Sequence, residues 1–247
     1  MRWGVLLRVV VLVLLVAFLV SPQSFAFVFQ PLTKNGQPAI YTQNSLLNLT
    51  LSHMLIVLIA TFAATVVAVS LAILVTRPAG AEFLPLSRML SNTGQTFPPV
   101  AVLALAVPIL GFGTAPTLVA LFLYGLLPIF ENALTGLTTI PPDVAESALG
   151  AGMNERQRLW QIDLPLALPL ILAGIRLSVA ISIGTATIGS TVAASTLGEA
   201  IIAGLINSNL AFVAQGGLVV GVLAILTYDG LRAIERRIAM RSGVTPH

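Results

Sequence analysis

The chain has 247 residues, 57% of them hydrophobic and only 9% charged, where an ordinary soluble domain carries roughly 25% charged residues. Its 12 basic and 9 acidic side chains cannot cover the exterior of a water-soluble fold of this length, so the chain is expected to lie in a bilayer. The net charge of +3 does not point to nucleic acid, because the basic residues form no continuous stripe, and the absence of cysteine removes disulfides, thiol nucleophiles and thiolate metal sites.

Arg2 and Arg8 precede an apolar run, Val9 to Val20, that is short for a span unless Arg8 extends its side chain back to the interface. Residues 1–26 fit two outcomes. With the small residues Ser24 and Ala26 they read as a cleavable signal peptide, and without cleavage as a signal-anchor helix. In both, residues 27–45 form an extracytoplasmic segment. Met54 to Val75 is 22 residues without a charge, long enough to cross at ~1.5 Å per residue. Met89 to Phe130 gives another 42 uncharged residues, too many for one crossing, and Gly111, Phe112, Gly113 and Pro116 break it into a helical hairpin. A polar segment over 138–163 follows. Residues 177–198 are again uncharged, and Ala211 to Tyr228 closes the set. The fold class predicted is all-α and polytopic, with about six membrane-spanning helices, or five after signal cleavage. A transmembrane domain over 46–231 would then be followed by a basic tail over 232–247.

Orientation follows from arginine and lysine, which cytoplasmic loops retain. With the N-terminus inside, Arg2, Arg8, Arg77, Arg88, Arg156, Arg158, Arg232, Arg236, Arg237 and Arg241 all fall at cytoplasmic ends, and Lys34 alone lies outside. Both termini of the anchor form are therefore expected in the cytoplasm.

The longest polar interruption, Ile140 to Pro169, reads as two short helices. Asp143 and Glu146 have the spacing of a capping box, with Pro141 and Pro142 before them, so a first helix is expected from Val144 to about Leu149, stopped by Gly150 and Gly152. Asn154 can cap a second helix over 155–162, ended by Pro165. Within this stretch stand Glu146, Ser147 and Ala148, then Gly152 four residues after the alanine, then nine residues, then Ile162, Leu164 and Pro165. The pattern resembles the EAA signature of binding-protein-dependent ABC transporter permeases, departing from it only by Ser147 in place of alanine.

The resemblance implies the type I ABC importer permease fold, in the cytoplasmic membrane of a prokaryote. It implies that the loop over 140–165 is a coupling helix docked on a separate ATPase subunit, with Glu146 facing a basic group and Pro165 fixing the angle of the next span. It extends over about residues 45 to 240. The stretches Gly94-Gln95-Thr96-Phe97-Pro98-Pro99 and Leu121-Phe122-Leu123-Tyr124-Gly125-Leu126-Leu127-Pro128 look like those of the osmoprotectant branch, as does the run from Leu164 to Arg176 continuing through Ser182 to Ile188. That branch imports glycine betaine, choline, carnitine and similar quaternary ammonium compounds. The partners implied are ABC ATPase subunits using ATP and magnesium, a second permease subunit that is either an identical copy or a paralogue, and an extracytoplasmic solute-binding protein.

The rest of the chain agrees with a transport subunit that is no enzyme and binds no cofactor itself. No GxxxxGK[ST] phosphate loop is present, and Lys34, the single lysine, is followed by Asn35. The two histidines, His53 and His247, form no HExxH pattern, so neither a catalytic residue nor a metal site is predicted. An aromatic box for a quaternary ammonium group favours tryptophan. Trp3 and Trp160 both fall at cytoplasmic positions, and Tyr41 and Tyr124 read as packing or interfacial residues. Selectivity is therefore assigned to the separate binding protein.

Charges in spans cost about 2.5–3.5 kcal/mol at a helix centre. Glu131 and Arg176 avoid the centre and are expected to pair with each other or to snorkel rather than to form a gate, and His53, near the outer entrance of its span, is expected in an interfacial role rather than a proton relay. Ser182, Thr185 and Thr187 are the pore-lining candidates, since the fifth span borders the pathway in the resembling family; ordinary packing is an equal alternative. A permease for another solute, an amino acid or an oxyanion, shares the coupling loop, although only Lys34 lies outside to attract an anion. An ion-coupled secondary transporter would be favoured by mid-span carboxylates and inverted repeats, and neither is evident.

Overall fold

The computed structural model describes residues 2–34 and 36–241, with side chains over 6–34 and 36–240. The side chains of Arg2, Trp3 and Arg241, and the end of the expected basic tail including His247, lie outside the described residues. Those described form α1 (Arg2–Val20), α2 (Ala26–Phe29), α3 (Leu46–Val75), α4 (Leu84–Thr96), α5 (Pro99–Leu110), α6 (Thr114–Thr138), α7 (Pro142–Gly150), α8 (Glu155–Arg158), α9 (Leu164–Thr185), α10 (Gly198–Ile206) and α11 (Leu210–Arg241), with 3-10 and π turns between some of them and no strand. Backbone polar groups can be satisfied in hydrocarbon only within helices or closed barrels, so an apolar chain of this length resolves into helices. Four helical stretches are long and apolar enough to cross a membrane, or up to six when each of two broken pairs counts as one span.

The expected hairpin over 89–130 is corrected in one respect. The chain breaks at Gly111 (φ 77°) as expected, but also at Phe97 and Pro98, both extended (ψ 141° and 142°), so the first arm is α4 followed by α5. Two consecutive prolines explain this. Each disfavours helical geometry in the residue before it, while Pro99 is well suited to the first helical turn. The 12 residues of α5 span only ~18 Å, too little to cross alone.

The chain forms two compact units. One comprises Met1–Ala60, Pro98–Leu121 and Ala180–Thr227; the other comprises Thr61–Phe97, Phe122–Val179 and Tyr228–His247. In the first, the chain bends by 115° after Val20. Phe18 packs edge-on against Phe25 (centroids 5.5 Å apart) and in a tilted stack against Phe29 (5.4 Å), holding the bend. Residues 37–41 are laid on α10 and α11 by amides. Gln37 Nε2 donates to the Asn207 carbonyl (2.8 Å), and Asn209 Nδ2 to that of Pro38 (2.9 Å). Gln215, wholly buried, uses both ends of its side chain: Nε2 donates to Ala39 O and Oε1 accepts from Tyr41 N. A buried amide left unpaired would cost about 1–3 kcal/mol, so this satisfaction is a condition of its burial.

In the same unit His53, near the N-terminal end of α3, is buried against the chain's own residues. Its side chain is 0% exposed, with Nε2 3.0 Å from Ile183 O and Nδ1 accepting from Leu197 N at 3.4 Å. Around it α9 tightens into a 3-10 turn over Ala186–Val192 and stops at Ala193 (φ 63°).

In the second unit, Ala64, Ala68 and Ala72 recur every fourth residue on one face of α3 and are all fully buried, sharing a core with Ile129, Phe130, Ala133 and Ala167. Small residues at this spacing let helix backbones approach in a membrane, where packing rather than apolar transfer drives association. The expected pair of Glu131 with Arg176 does not form. Glu131 Oε1 meets Arg88 Nε at 3.1 Å. Arg176 Nε meets Glu235 Oε2 at 3.1 Å and lies over the Tyr228 ring, 4.5 Å from its centroid. Each charge has an opposite partner on a different helix, which sequence separation alone does not reveal.

Candidate functional site

The polar loop between α6 and α9 is the site the motif marks. Its first helix is longer than the spacing predicts. Pro141 stands in extended geometry (ψ 137°) as the N-cap, Pro142 is the first helical residue, and no side chain caps the helix. Proline carries the φ a helix needs and lacks the amide a first turn would leave unpaired, so winding starts before Val144. Asp143 is thereby moved into the first turn, where its charge complements the helix dipole, and the Asp143–Glu146 capping box does not form.

The helix ends in a Schellman arrangement. The amide of Gly152 bonds to Leu149 O (2.9 Å) and that of Met153 to Ala148 O (3.1 Å), with Gly152 at φ 77°. A Cβ on Gly152 would meet nothing within 4 Å, so this glycine is required by its backbone angle rather than by crowding within the chain. Asn154 then caps α8 as expected: Asn154 Oδ1 accepts from Gln157 N and Gln157 Oε1 from Asn154 N, both at 2.9 Å.

The second helix does not stop at Pro165. After Arg158 it widens into a π turn, Leu159–Asp163, in which the Leu164 amide reaches back to Leu159 O, and it runs on into α9. In an α-helix the Pro165 ring would press on the carbonyl four residues before it; the wider turn removes the clash without ending the helix.

The loop brings Ser147, Ala148 and Ile162 together with Asp143, Val144, Ala151 and Met153 around a hollow of about 330 Å³. Glu146 does not line it and is exposed, while Ala148 is buried against its own chain. Leu164 and Pro165 open α9, half-buried and exposed respectively. Of the pore candidates, Ser182 is 1% exposed with a hydroxyl that has no partner. Thr185 is half-buried, and the half-buried Thr187 turns its hydroxyl onto Gly184 O (2.7 Å).

The motif reading passed over Asp163. Only 4% exposed, it accepts on Oδ2 from Arg77 Nη2 at 2.7 Å and lies 3.4 Å from Arg158 Nε. Removing one partner of such a buried pair costs about 3–5 kcal/mol. The signal available in the sequence was a lone acid between Ile162 and Leu164 in an otherwise apolar stretch. Among the described residues no three His, Asp or Glu side chains gather as a metal site.

Two stretches that carry the resemblance interlock in the same unit. Gln95 Nε2 donates to Tyr124 O (3.0 Å), the Tyr124 hydroxyl donates to Phe97 O, and Gly94 lies so close to the Leu123 carbonyl that a Cβ could not fit. These residues are scaffold contacts between α4 and α6.

The family described as "Binding-protein-dependent transport system inner membrane component" matches residues 68–240. The osmoprotectant import permease protein OsmY of Salmonella typhimurium is 39% identical over 80% of this chain and 84% of its own length. The choline transport system permease protein OpuBB of Bacillus subtilis is 37% identical over 85% of this chain and 93% of its own length. Among solved structures, an inward-facing form of the MetNI methionine ABC transporter superposes with a TM-score of 0.70, 21% identity, and coverage of 78% of this chain and 95% of that one, a likeness of fold. The helical layout, the capped polar loop and these matches agree, and the chain belongs to the binding-protein-dependent transport system inner membrane components, the multi-pass permease subunits of ABC importers.

Proposed function

We propose that this chain forms the translocation path for quaternary ammonium osmoprotectants such as glycine betaine and choline, with the energy supplied by ATP and magnesium on a separate ATPase subunit. The observation that carries the reading is the 39% identity to an osmoprotectant import permease over most of both chains. On this reading the chain is not itself an enzyme and binds no cofactor. A second permease, identical or paralogous, completes the pathway, and an extracytoplasmic binding protein delivers the solute.

The loop over 140–165 is the docking element on this reading. Its caps support that role, because a lever must not bend: the left-handed Gly152 and the Asn154–Gln157 box fix both sides of its turn. Glu146 and Ser147, exposed on α7, face the ATPase; Ala148, Ile162, Leu164 and Pro165 set the base from which α7 projects. Thr185 and Thr187 border the path, whereas Ser182, 1% exposed, packs within the chain. Both termini lie in the cytoplasm, with the 27–45 segment outside and the spans within 46–231.

The test is uptake of labelled glycine betaine, choline and ectoine by cells lacking other importers, with and without the partner ATPase. Uptake that requires both proteins supports the reading. Uptake that survives loss of every partner ATPase overturns it.

A further inference from the structure

Three features bear on how a push on the loop reaches the membrane helices. The first is the position of Asp163, the last residue of the π turn and hence the joint between the loop and α9. A π turn interrupts the ladder of the α-helix on either side, and such interruptions are where helices kink. A lever hinged there would yield at the joint.

The second is what braces the joint. Arg158 and Asp163 are five residues apart, a spacing that an α-helix places on different faces, since its neighbours are three and four apart. The π turn brings them to one side, and Arg158 Nε lies 3.4 Å from Asp163 Oδ2, across the whole widened turn. The third is Arg77, two residues past the end of α3, which donates from Nη2 to the same oxygen at 2.7 Å. One carboxylate oxygen therefore holds the loop helix α8 and the end of α3 at the start of α9. The Nε and Nη1 of Arg77 are buried without another acceptor, so the guanidinium is committed to Asp163.

We infer that Asp163 is a positioning residue for coupling, which clamps the π joint so that displacement of the loop moves α3 and α9 together. This rests on the function proposed above. Without the carboxylate, the joint loses its brace and the two arginines repel each other, so the loop moves without carrying α3.

The test uses the full permease assembled with its ATPase and binding protein in vesicles, measuring solute imported per ATP hydrolysed. A defect of folding alone lowers transport and hydrolysis together and leaves that ratio intact. Asp163→Asn and Arg77→Gln are expected to lower the ratio about tenfold, with Asp163→Glu recovering part of it and Arg158→Gln affecting it less than Arg77→Gln. The chain lacks cysteine, so spin labels at Ala79→Cys and Gln161→Cys report the joint directly. Their distance distribution is expected to be narrow in the parent and to broaden with Asp163→Asn.

An unchanged ratio with an unbroadened distribution in Asp163→Asn would overturn the clamp. So would a loss of transport that only follows the amount of assembled complex. If the parent complex itself imports none of glycine betaine, choline or carnitine, the functional reading fails, and the spin-label distances alone then decide the clamp.

Discussion

His53 and Ile183 are joined by a hydrogen bond of 3.0 Å between the imidazole Nε2 and the backbone carbonyl. The other ring nitrogen fixes its direction: Leu197 N–H points at Nδ1 (3.4 Å), so Nδ1 accepts, the proton sits on Nε2, and Nε2 donates. One neutral ring thus ties α3 to the end of α9 and to the residue preceding α10. His53→Ala is expected to destabilise the permease by about 1–3 kcal/mol through the Leu197 amide left unpaired, with a further loss from the cavity. His53→Gln should be milder, because an amide retains a donor and an acceptor. Thermal unfolding in detergent checks both, and equal melting temperatures for the parent and His53→Ala would show that the ring contributes only volume.

At the loop turn, the two caps should respond differently. Gly152→Ala forces a Cβ into the left-handed region at a cost of roughly 1–2 kcal/mol. Gly152→Asp adds a charge on the exposed face as well, and is expected to abolish transport while insertion in the membrane is retained. Asn154→Ala removes the reciprocal cap for about 1 kcal/mol and should leave partial transport. Glu146→Lys, which touches no cap, should also abolish transport if α7 docks on a basic cleft. Uptake assays with membrane abundance measured in parallel separate these cases; normal uptake by both Gly152→Asp and Glu146→Lys would make the loop a mere connector.

Gly94 tests the interlock of α4 with α6. A methyl group at this position would collide with the Leu123 carbonyl and crowd the Tyr124 amide, both backbone groups that cannot swing aside. Gly94→Ala should therefore push the helices apart, break the Gln95 to Tyr124 bond, and lower the melting temperature more than Gly184→Ala, where an added Cβ meets nothing within 4 Å. Equal melting temperatures for the two variants would contradict that packing.

The length of the charge-free runs and their composition made the spans legible, because a bilayer demands about 20 apolar residues and little else satisfies it. Asn154 was legible for a similar reason: its partner Gln157 is three residues away, and capping is a local interaction. What the sequence hid is non-local. Arg77 and Asp163 are 86 positions apart, and no pattern of one helix says which arginine a carboxylate will meet. The same holds for Glu131, which met Arg88 rather than Arg176. At Pro165 the error was of another kind, since proline ends most helices but here follows a π turn that accommodates its ring.

Orientation is open to a direct measurement. Arginines crowd the loop and the ends of the spans that the charge rule assigns to the cytoplasm. Reporters active only on one side, fused after Gly150 and near Lys34, are expected to signal cytoplasm and exterior respectively. The reverse pair would invert the protein and remove the loop from any cytoplasmic ATPase.

Arg176 provides the last test, because it lies 13 residues into the stretch beginning at Leu164 and is mostly shielded, with 16% of its side chain exposed. Its charge is matched by Glu235 at 3.1 Å and by the face of Tyr228 at 4.5 Å. The two contacts are not equivalent: Glu235→Ala leaves the arginine over the ring, whereas Arg176→Ala strands the mostly shielded Glu235 carboxylate without its opposite charge. Arg176→Ala is therefore expected to be the more damaging single change. The double alanine variant should lose less than the sum of the two, with an interaction energy of roughly 0.5–3 kcal/mol for residues in contact. Melting temperatures of the four proteins close the cycle. Additive losses would show that the pair holds α9 and α11 together no better than two unrelated side chains.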